Sequence, residues 1–315
     1  MVPTVAEYQR LVPQPDRLSG GRAVLPPTAT LRADLVSVIT ATFNSVRSLD
    51  RTIDSVLCQS HPHIEYIIID GGSKDGTVDR LRAREGQIDL WLSERDRGIA
   101  DAFNKGIALA RGEYIAFINS DDWLEKDQIR AAVSVLEQSG ADFVYGDLML
   151  HEPDGSPAHV LRGEADYARR LRHTMPHLNH PTVVCRRQLY EKAGLFDTSL
   201  SIAMDYEWLL RVDRSGARGT YSSQLLGHMT LEGASDRTWR RALAEVRAVS
   251  IRYGYPPVPA WLRFWARVAK VGTRRRLEKW APRATYHWAR RVMNPNYEGR
   301  AANTAGNVRS ALREK

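Results

Sequence analysis

Two adjacent acidic residues, Asp121 and Asp122, follow an apolar run that ends at Asn119 and Ser120. Like charges so close repel, and the pair is tolerable when a cation or several donors sit between them. A hard divalent ion, Mg²⁺ or Mn²⁺, takes a few carboxylates and completes its shell with the oxygens of a bound phosphate. The pair therefore fits a metal that bridges protein to a diphosphate; the plainer reading is an N-cap for the helix that follows. Asp70 ends another apolar run, directly before Gly71 and Gly72. Glycines there let a ligand approach the backbone, and the carboxylate can accept hydrogen bonds from a base or ribose; an ordinary strand-to-helix turn is the alternative. Two further runs end in polar residues, Thr40-Ala41-Thr42-Phe43-Asn44 and Glu94-Arg95-Asp96-Arg97-Gly98. No Gly-x-Gly-x-x-Gly follows the first apolar run, which disfavours a dinucleotide cofactor, and there is no Gly-x-x-x-x-Gly-Lys phosphate loop.

The elements that must place these residues alternate. Leu35 to Thr42, Ile64 to Asp70, Ile88 to Ser93 and Tyr114 to Asn119 read as buried strands, and Asp142 to Tyr145 opens a fifth. Between them, helical spacing runs through Arg47 to Gln59, Thr77 to Arg84, Ile99 to Arg111 and Asp127 to Gln138. Such alternation predicts an α/β fold, a mostly parallel sheet covered by helices on both faces. In such sheets ligands bind outside the carboxyl ends of the strands, where all four polar clusters fall. Later, Val183 to Arg186 reads as a strand. Arg187 to Ala193, Ile202 to Ser215 and Thr238 to Tyr253 read as helices, and Pro256, Pro257 and Pro259 interrupt the chain. Residues 1–34 hold five prolines and no sustained period, and read as an extended arm.

Read together, these stretches resemble inverting glycosyltransferases of family 2 with the GT-A fold, in the subgroup that builds colanic acid, O-antigen and exopolysaccharide. The resemblance rests on Val36 to Asn44, Ile69 to Thr77, Gly98-Ile99-Ala100-Asp101-Ala102-Phe103-Asn104-Lys105-Gly106, Phe117 to Trp123, His180-Pro181-Thr182 and Phe196-Asp197 through Ala203-Met204-Asp205-Tyr206-Glu207. It covers residues 35–235. It implies that Thr40, Ala41, Thr42, Phe43, Asn44, Asp70, Gly71 and Gly72 hold the nucleotide's base and ribose. Asp101, Asn104 and Lys105 would line the nucleotide-sugar site, with Asn119 and Ser120 beside them. Asp121, with Asp122, matches the family's Asp-x-Asp metal element, whose first position is Asn119 here. Asp205 matches the catalytic base, preceded by Met204 where many relatives are acidic. His228 would be a late metal or diphosphate contact, and His180 would touch acceptor or sugar. The implied cofactor is Mn²⁺ or Mg²⁺ and the implied donor is a nucleotide-diphosphate sugar, UDP being the family's usual carrier.

The charge is unevenly placed. The chain carries +8 overall, yet residues 237–315 hold 19 Lys/Arg against 4 Asp/Glu and five of the eight tryptophans, so the remainder is acidic. From Ala260 the apolar Trp261, Trp265, Val268 and Gly272 share one helical face with arginines opposite. A basic, Trp-bearing amphipathic stretch over 260–292 is expected to dock on an anionic membrane surface, where a lipid-linked or oligosaccharide acceptor would lie. A solvated helical hairpin packed on the body is the plainer alternative, and nucleic acid is not expected as a partner. A sugar nucleotidyltransferase is a competing reading, weakened by the missing Gly-rich loop; a nucleic-acid binder using the basic tail is another. The 43% hydrophobic and 26% charged composition excludes a wholly disordered chain. With two unpaired-looking cysteines, no long apolar run and no cleavable leader, a cytoplasmic protein attached peripherally to the inner face of a bacterial plasma membrane is expected. The last fifteen residues read as disordered, and oligomeric state is open.

Overall fold

The computed structural model describes residues 2–9, 18–22, 32–231, 238–280 and 297–298. A helix, α1 (Val5–Gln9), and a strand, β1 (Leu18–Gly20), come first. The alternating body follows as β2 (Arg32–Thr42), α2 (Leu49–Leu57), β3 (Ile64–Asp70), α3 (Thr77–Ala83), β4 (Leu90–Ser93), α4 (Ile99–Leu109) and β5 (Gly112–Asn119). Next come β6 (Trp123–Leu124), α5 (Gln128–Ser139), β7 (Phe143–His151), β8 (Pro157–Leu161) and α6 (Tyr167–Leu171). The chain continues through β9 (Val184–Arg186), α7 (Gln188–Ala193), α8 (Met204–Arg214), β10 (Gly219–Thr230), α9 (Trp239–Arg252), α10 (Pro257–Trp280) and β11 (Tyr297–Glu298).

The described strands form one sheet in the order β1-β4-β3-β2-β5-β9-β7-β10-β6, with β8 on β7 and β11 on β8. The run β4-β3-β2-β5 is parallel, and its register decides where the polar ends fall. Thr42 pairs with Asp70, Asp70 with Ser93, and Ala41 with Asn119. Four strand ends therefore meet at one edge. β9 enters antiparallel between β5 and β7, interrupting an otherwise parallel centre.

Alternation along the strands splits the core in two. Ile39, Ala41, Ile67, Ile69, Ile115 and Phe117 face one layer, with α4, α7 and α8. Val36, Val38, Tyr66, Ile68, Tyr114 and Ile118 face the other, with α2 and α5. Burial on both faces explains why these strands read as continuous apolar runs.

Three differences from the sequence reading have physical causes. Residues 5–9 and 18–20 are not an extended arm: β1 pairs antiparallel with β4, and Tyr8 is buried against α4 with its hydroxyl donating to Asp101 at 2.6 Å. The prolines before residue 260 begin a helix instead of merely interrupting the chain, because a first turn does not need their missing N–H groups. β10 is a twelve-residue strand parallel to β7, and a register shift between Tyr221 and Leu226 spoils the alternation that would reveal it. Residues 281–292 of the amphipathic stretch, and the last fifteen residues, lie outside the described residues.

Gly106 marks where α4 meets β2. A Cβ there would fall 2.3 Å from the Ile39 side chain. Gly106→Ala is expected to push α4 off the sheet and lower stability by about 1–3 kcal/mol, measured by denaturant titration.

Candidate active site

The Asp70 carboxylate lies fully buried at the shared strand edge. It accepts hydrogen bonds from the backbone N–H of Gly72 (3.1 Å) and Ser73 (2.9 Å), the Ser73 hydroxyl (2.5 Å) and the Ser93 hydroxyl (2.6 Å). Gly72 adopts φ +82, and a Cβ on Gly71 would fall 2.8 Å from the Asp96 carboxylate. The loop after β2 is tied to this turn. Asn44, at φ 51, donates its N–H to Ser73 Oγ and accepts from Lys74 N; Val46 N donates to Asp75. Thr40 and Ala41 are buried, with Thr40 Oγ1 3.1 Å from the Tyr66 hydroxyl, so they shape the site from beneath. Thr42 Oγ1 is buried without a hydrogen-bond partner, and the Phe43 ring stands 62% exposed beside it. An unsatisfied buried hydroxyl and an open aromatic face together suit a planar polar ligand.

Asp101 and Lys105 belong to a buried ionic cluster. Lys105 Nζ lies 2.8 Å from Glu94 and 3.5 Å from Asp101. Asp101 also accepts from Arg97 at 2.9 Å and from Tyr8. Burial alone would raise its carboxyl; the Tyr8, Arg97 and Lys105 contacts outweigh that and hold it below the usual range. Asn104 differs from its two neighbours. Its amide donates to Phe196 O and accepts from Phe196 N, both at 2.9 Å and both buried. Its amide thus fixes the backbone at Phe196, and it also hydrogen-bonds the Tyr8 side chain.

Asp121 and Asp122 occupy different environments. Asp121 is half-buried, whereas Asp122 is 1% exposed. Burial, then repulsion from Asp121, pushes the Asp122 carboxyl well above its ordinary value, against a 3.0 Å hydrogen bond from Asn119 Nδ2. Asp122 Oδ1 and Asn119 Oδ1 are both buried without partners. The Arg51 guanidinium lies 3.7 Å over the Trp123 ring and donates to Asp121 O and Thr230 Oγ1. Nothing in the local sequence marked Arg51, because it arrives from α2. Ser120 Oγ sits 2.7 Å from Ser45 Oγ, joining this end to the β2 loop. Among the described residues no group of three or more His, Cys, Asp or Glu side chains could hold a metal. A cation that takes one or two carboxylates and shares substrate phosphates does not need one. The all-oxygen set of Asp121, Asp122 and Asn119, two of its oxygens orphaned, fits such a hard ion.

His228 lies next to this end, on β10 opposite Trp123, and stacks on that ring at 5.0 Å. Both its nitrogens are engaged, Nδ1 with His151 Nε2 (2.9 Å) and Nε2 with Glu125 (2.8 Å). His151 Nδ1 in turn reaches Gly155 O at 3.1 Å. Burial, with the neighbouring His228 and Arg51, keeps His151 below the ordinary imidazole value, and the bond from His228 holds the Glu125 carboxyl below its usual range. To bind a metal His228 would have to give up one of these bonds.

Asp205 begins α8. It is half-buried, and burial raises its carboxyl to about 6. The loop leading to it is fixed from α9. The Glu245 carboxylate accepts the backbone N–H groups of Ser201, Ile202 (2.8 Å) and Ala203 (3.0 Å). Sequence reasoning missed Glu245; a lone acid within an arginine-rich helix was the available signal. Arg252, also on α9, pairs with Asp197 at 3.0 Å. His180 stacks against both Phe103 and Phe117, at 5.6 and 5.5 Å, and burial lowers it to about 4. It is neutral at pH 7 and contributes shape, not charge.

A mostly parallel sheet whose strand ends gather acids, glycines and an open aromatic ring, covered by helices on both faces, defines an α/β fold of the GT-A type. Solved structures agree on that fold: S. aureus TarS 1–349 in complex with UDP-GlcNAc superposes with a TM-score of 0.54 at 16% identity, over 72% of this chain and 69% of that one. The mannosyltransferase PcManGT from Pyrobaculum calidifontis, in complex with GDP-Man and Mn²⁺, gives 0.54 at 20% identity over 98% and 86%. The chain belongs to glycosyl transferase family 2, whose profile matches residues 37–194. It is also 39% identical over 126 residues to TuaG of Bacillus subtilis, a protein named for teichuronic acid biosynthesis. That match covers 39% of this chain and half the length of TuaG.

The Glu245 brace is directly testable. Glu245→Ala is expected to cost roughly 2–3 kcal/mol by removing charge-assisted hydrogen bonds. Amide hydrogen exchange at residues 201–203 should accelerate at least tenfold while the central strands keep their protection.

Proposed function

We propose that the chain is an inverting glycosyltransferase. It moves a sugar from a nucleotide-diphosphate sugar to a hydroxyl of a lipid-linked or saccharide acceptor in bacterial surface polysaccharide synthesis. Asp205 carries this reading: a half-buried carboxylate raised to about 6 is mostly ionised at neutral pH yet basic enough to take a proton. The acceptor oxygen attacks the anomeric carbon while Asp205 removes its proton. The nucleoside diphosphate departs from the opposite face. Phe43 and Asp70 are the proposed contacts to base and ribose, and Asp101 and Lys105 support the sugar-facing wall. A UDP donor is favoured because TarS, of the same fold, was solved with UDP-GlcNAc, and the polysaccharide role because of the likeness to TuaG. Bound at Asp121, with Asp122 and Asn119 behind it, Mn²⁺ or Mg²⁺ would neutralise charge on the leaving diphosphate. Arg51, beside both aspartates, adds fixed positive charge to the same wall.

No described helix is long and apolar enough to cross a membrane. Peripheral attachment through α10 is part of the proposal; its Trp261, Leu262 and Trp265 are exposed.

Asp205→Asn should lower sugar transfer by 10²- to 10⁴-fold, the usual contribution of a general base. Nucleotide-sugar binding, followed by calorimetry, should survive. Unchanged turnover would remove Asp205 from the role. The sign of the pH effect follows from the raised value. Protonated Asp205 is the form the fold favours, so its contribution is present at low pH and lost as pH rises through about 6. The variant is therefore expected to melt no lower than the parent at pH 7.5, and transfer by the parent should fall as pH drops below 6. Chelation with EDTA should abolish transfer, with recovery on adding Mn²⁺. Full activity in EDTA would exclude the metal.

A further inference from the structure

The family profile begins at residue 37, yet a segment outside it reaches residues of the candidate site. Residues 2–9 lie across two parts of the body at once. At one end, Pro3 O accepts the backbone N–H of Leu195 at 3.1 Å. Gly194, at φ +78, makes room for that crossing, since a Cβ there would fall 3.1 Å from the Val2 side chain. At the other end, Tyr8 is 7% exposed and its hydroxyl is a junction. It donates to Asp101 Oδ1 at 2.6 Å, accepts from Arg97 Nη2 at 3.0 Å, and is also hydrogen-bonded by the Asn104 side chain.

Two of these partners lead onward. Asp101 lies 3.5 Å from Lys105 Nζ, which lies 2.8 Å from Glu94. Asp101 and Lys105 both act electrostatically on Asp96, whose carboxylate packs over Gly71 and also feels Asp70. Asn104 binds the Phe196 backbone, one residue from the Leu195 that Pro3 holds. Packing alone would be met by a phenylalanine at position 8; the hydroxyl with three polar partners asks for more. The Asp101 side chain is 6% exposed, and a carboxylate so buried depends on its donors. Tyr8 gives it a short, charge-assisted bond from a rigid side chain with two torsions. Arg97 also reaches it, but that side chain is 67% exposed and loses more rotamer freedom when held. Tyr8 is therefore the donor that fixes the carboxylate in place.

We propose that Tyr8 is a positioning residue for the donor sugar, holding Asp101 through its hydroxyl so that the Asp101–Lys105 wall is set before the nucleotide sugar arrives. The inference rests on the glycosyltransferase reading and gives a functional part to a segment outside the family domain. Calorimetry on the full chain with Mn²⁺ compares UDP with whichever of UDP-glucose, UDP-galactose and UDP-GlcNAc the parent binds most tightly. Tyr8→Phe should weaken the UDP-sugar at least fivefold and leave UDP within twofold, because this wall serves the sugar and not the base. In transfer, the same variant should raise KM for the donor with kcat within twofold. The decisive measurement is the cycle with Asp101→Asn. Because Tyr8 acts through Asp101, adding Tyr8→Phe to Asp101→Asn should change UDP-sugar binding less than twofold. A further fivefold loss in that background would overturn the assignment. If Asp101→Asn does not fold, the split between UDP and UDP-sugar in Tyr8→Phe decides alone, since a general loosening weakens both ligands alike. A parent that binds UDP-sugars while Tyr8→Phe changes nothing keeps the transferase and removes Tyr8 from the role. A parent that binds neither UDP nor any of the UDP-sugars overturns the donor site and Tyr8's part in it together.

Discussion

A single buried carboxylate holds the site's architecture together. Asp70 accepts four hydrogen bonds, two from the backbone of the turn after β3 and two from hydroxyls on that turn and on β4. A buried carboxylate without donors would protonate or unfold its surroundings; satisfied, it becomes a rivet. The turn it fastens is the one that receives Asn44 and Val46 from the loop after β2, and that loop in turn meets Ser120 after β5. Three chain crossings are therefore referred to one oxygen pair. The register of the parallel strands places all of them at one edge before any side chain acts.

Charge is distributed over the candidate residues with a consistent logic. Where acids are buried with cations, as at Asp101 and Lys105, they are pinned and held ionised. Where they are buried without enough donors, at Asp122 and Asp205, their carboxyls rise. The first kind is scaffolding. The second is left short of donors, and perturbed carboxyls of that kind are where a bound cation or an incoming proton would be accepted. His180, stacked against two phenylalanine rings, and Asn104, bonded to the Phe196 backbone, add shape and scaffolding without charge.

Much of this was legible because the central strands are buried on both faces. Val36 to Thr42 and Ile64 to Asp70 announce themselves as continuous apolar runs, and the polar residues that stop them are the strand ends themselves. Asp70 and Asp121 could be picked out for the same reason, since each stands where an apolar run stops; Asp205 came only through the family resemblance. What escaped reading were partnerships across long stretches of chain. Arg51 over Trp123, Tyr8 on Asp101 and Glu245 beneath residues 201–203 each depend on two elements packing, and no local period encodes that. Asn104 shows the converse. Its place between Asp101 and Lys105 suggests ligand contact, and only the fold reveals that its amide also fixes the backbone at Phe196.

The segment rich in arginine and tryptophan is therefore not merely an appendage to an acidic body. Through Glu245 and Arg252 it grips the loop that ends in Asp205, and its other side carries the exposed α10 face. The exposed face and the splint thus sit on two successive helices of one basic segment. A chain trimmed after residue 235 would keep all four central strand ends and lose Glu245 and Arg252, leaving the loop that leads into Asp205 without its brace.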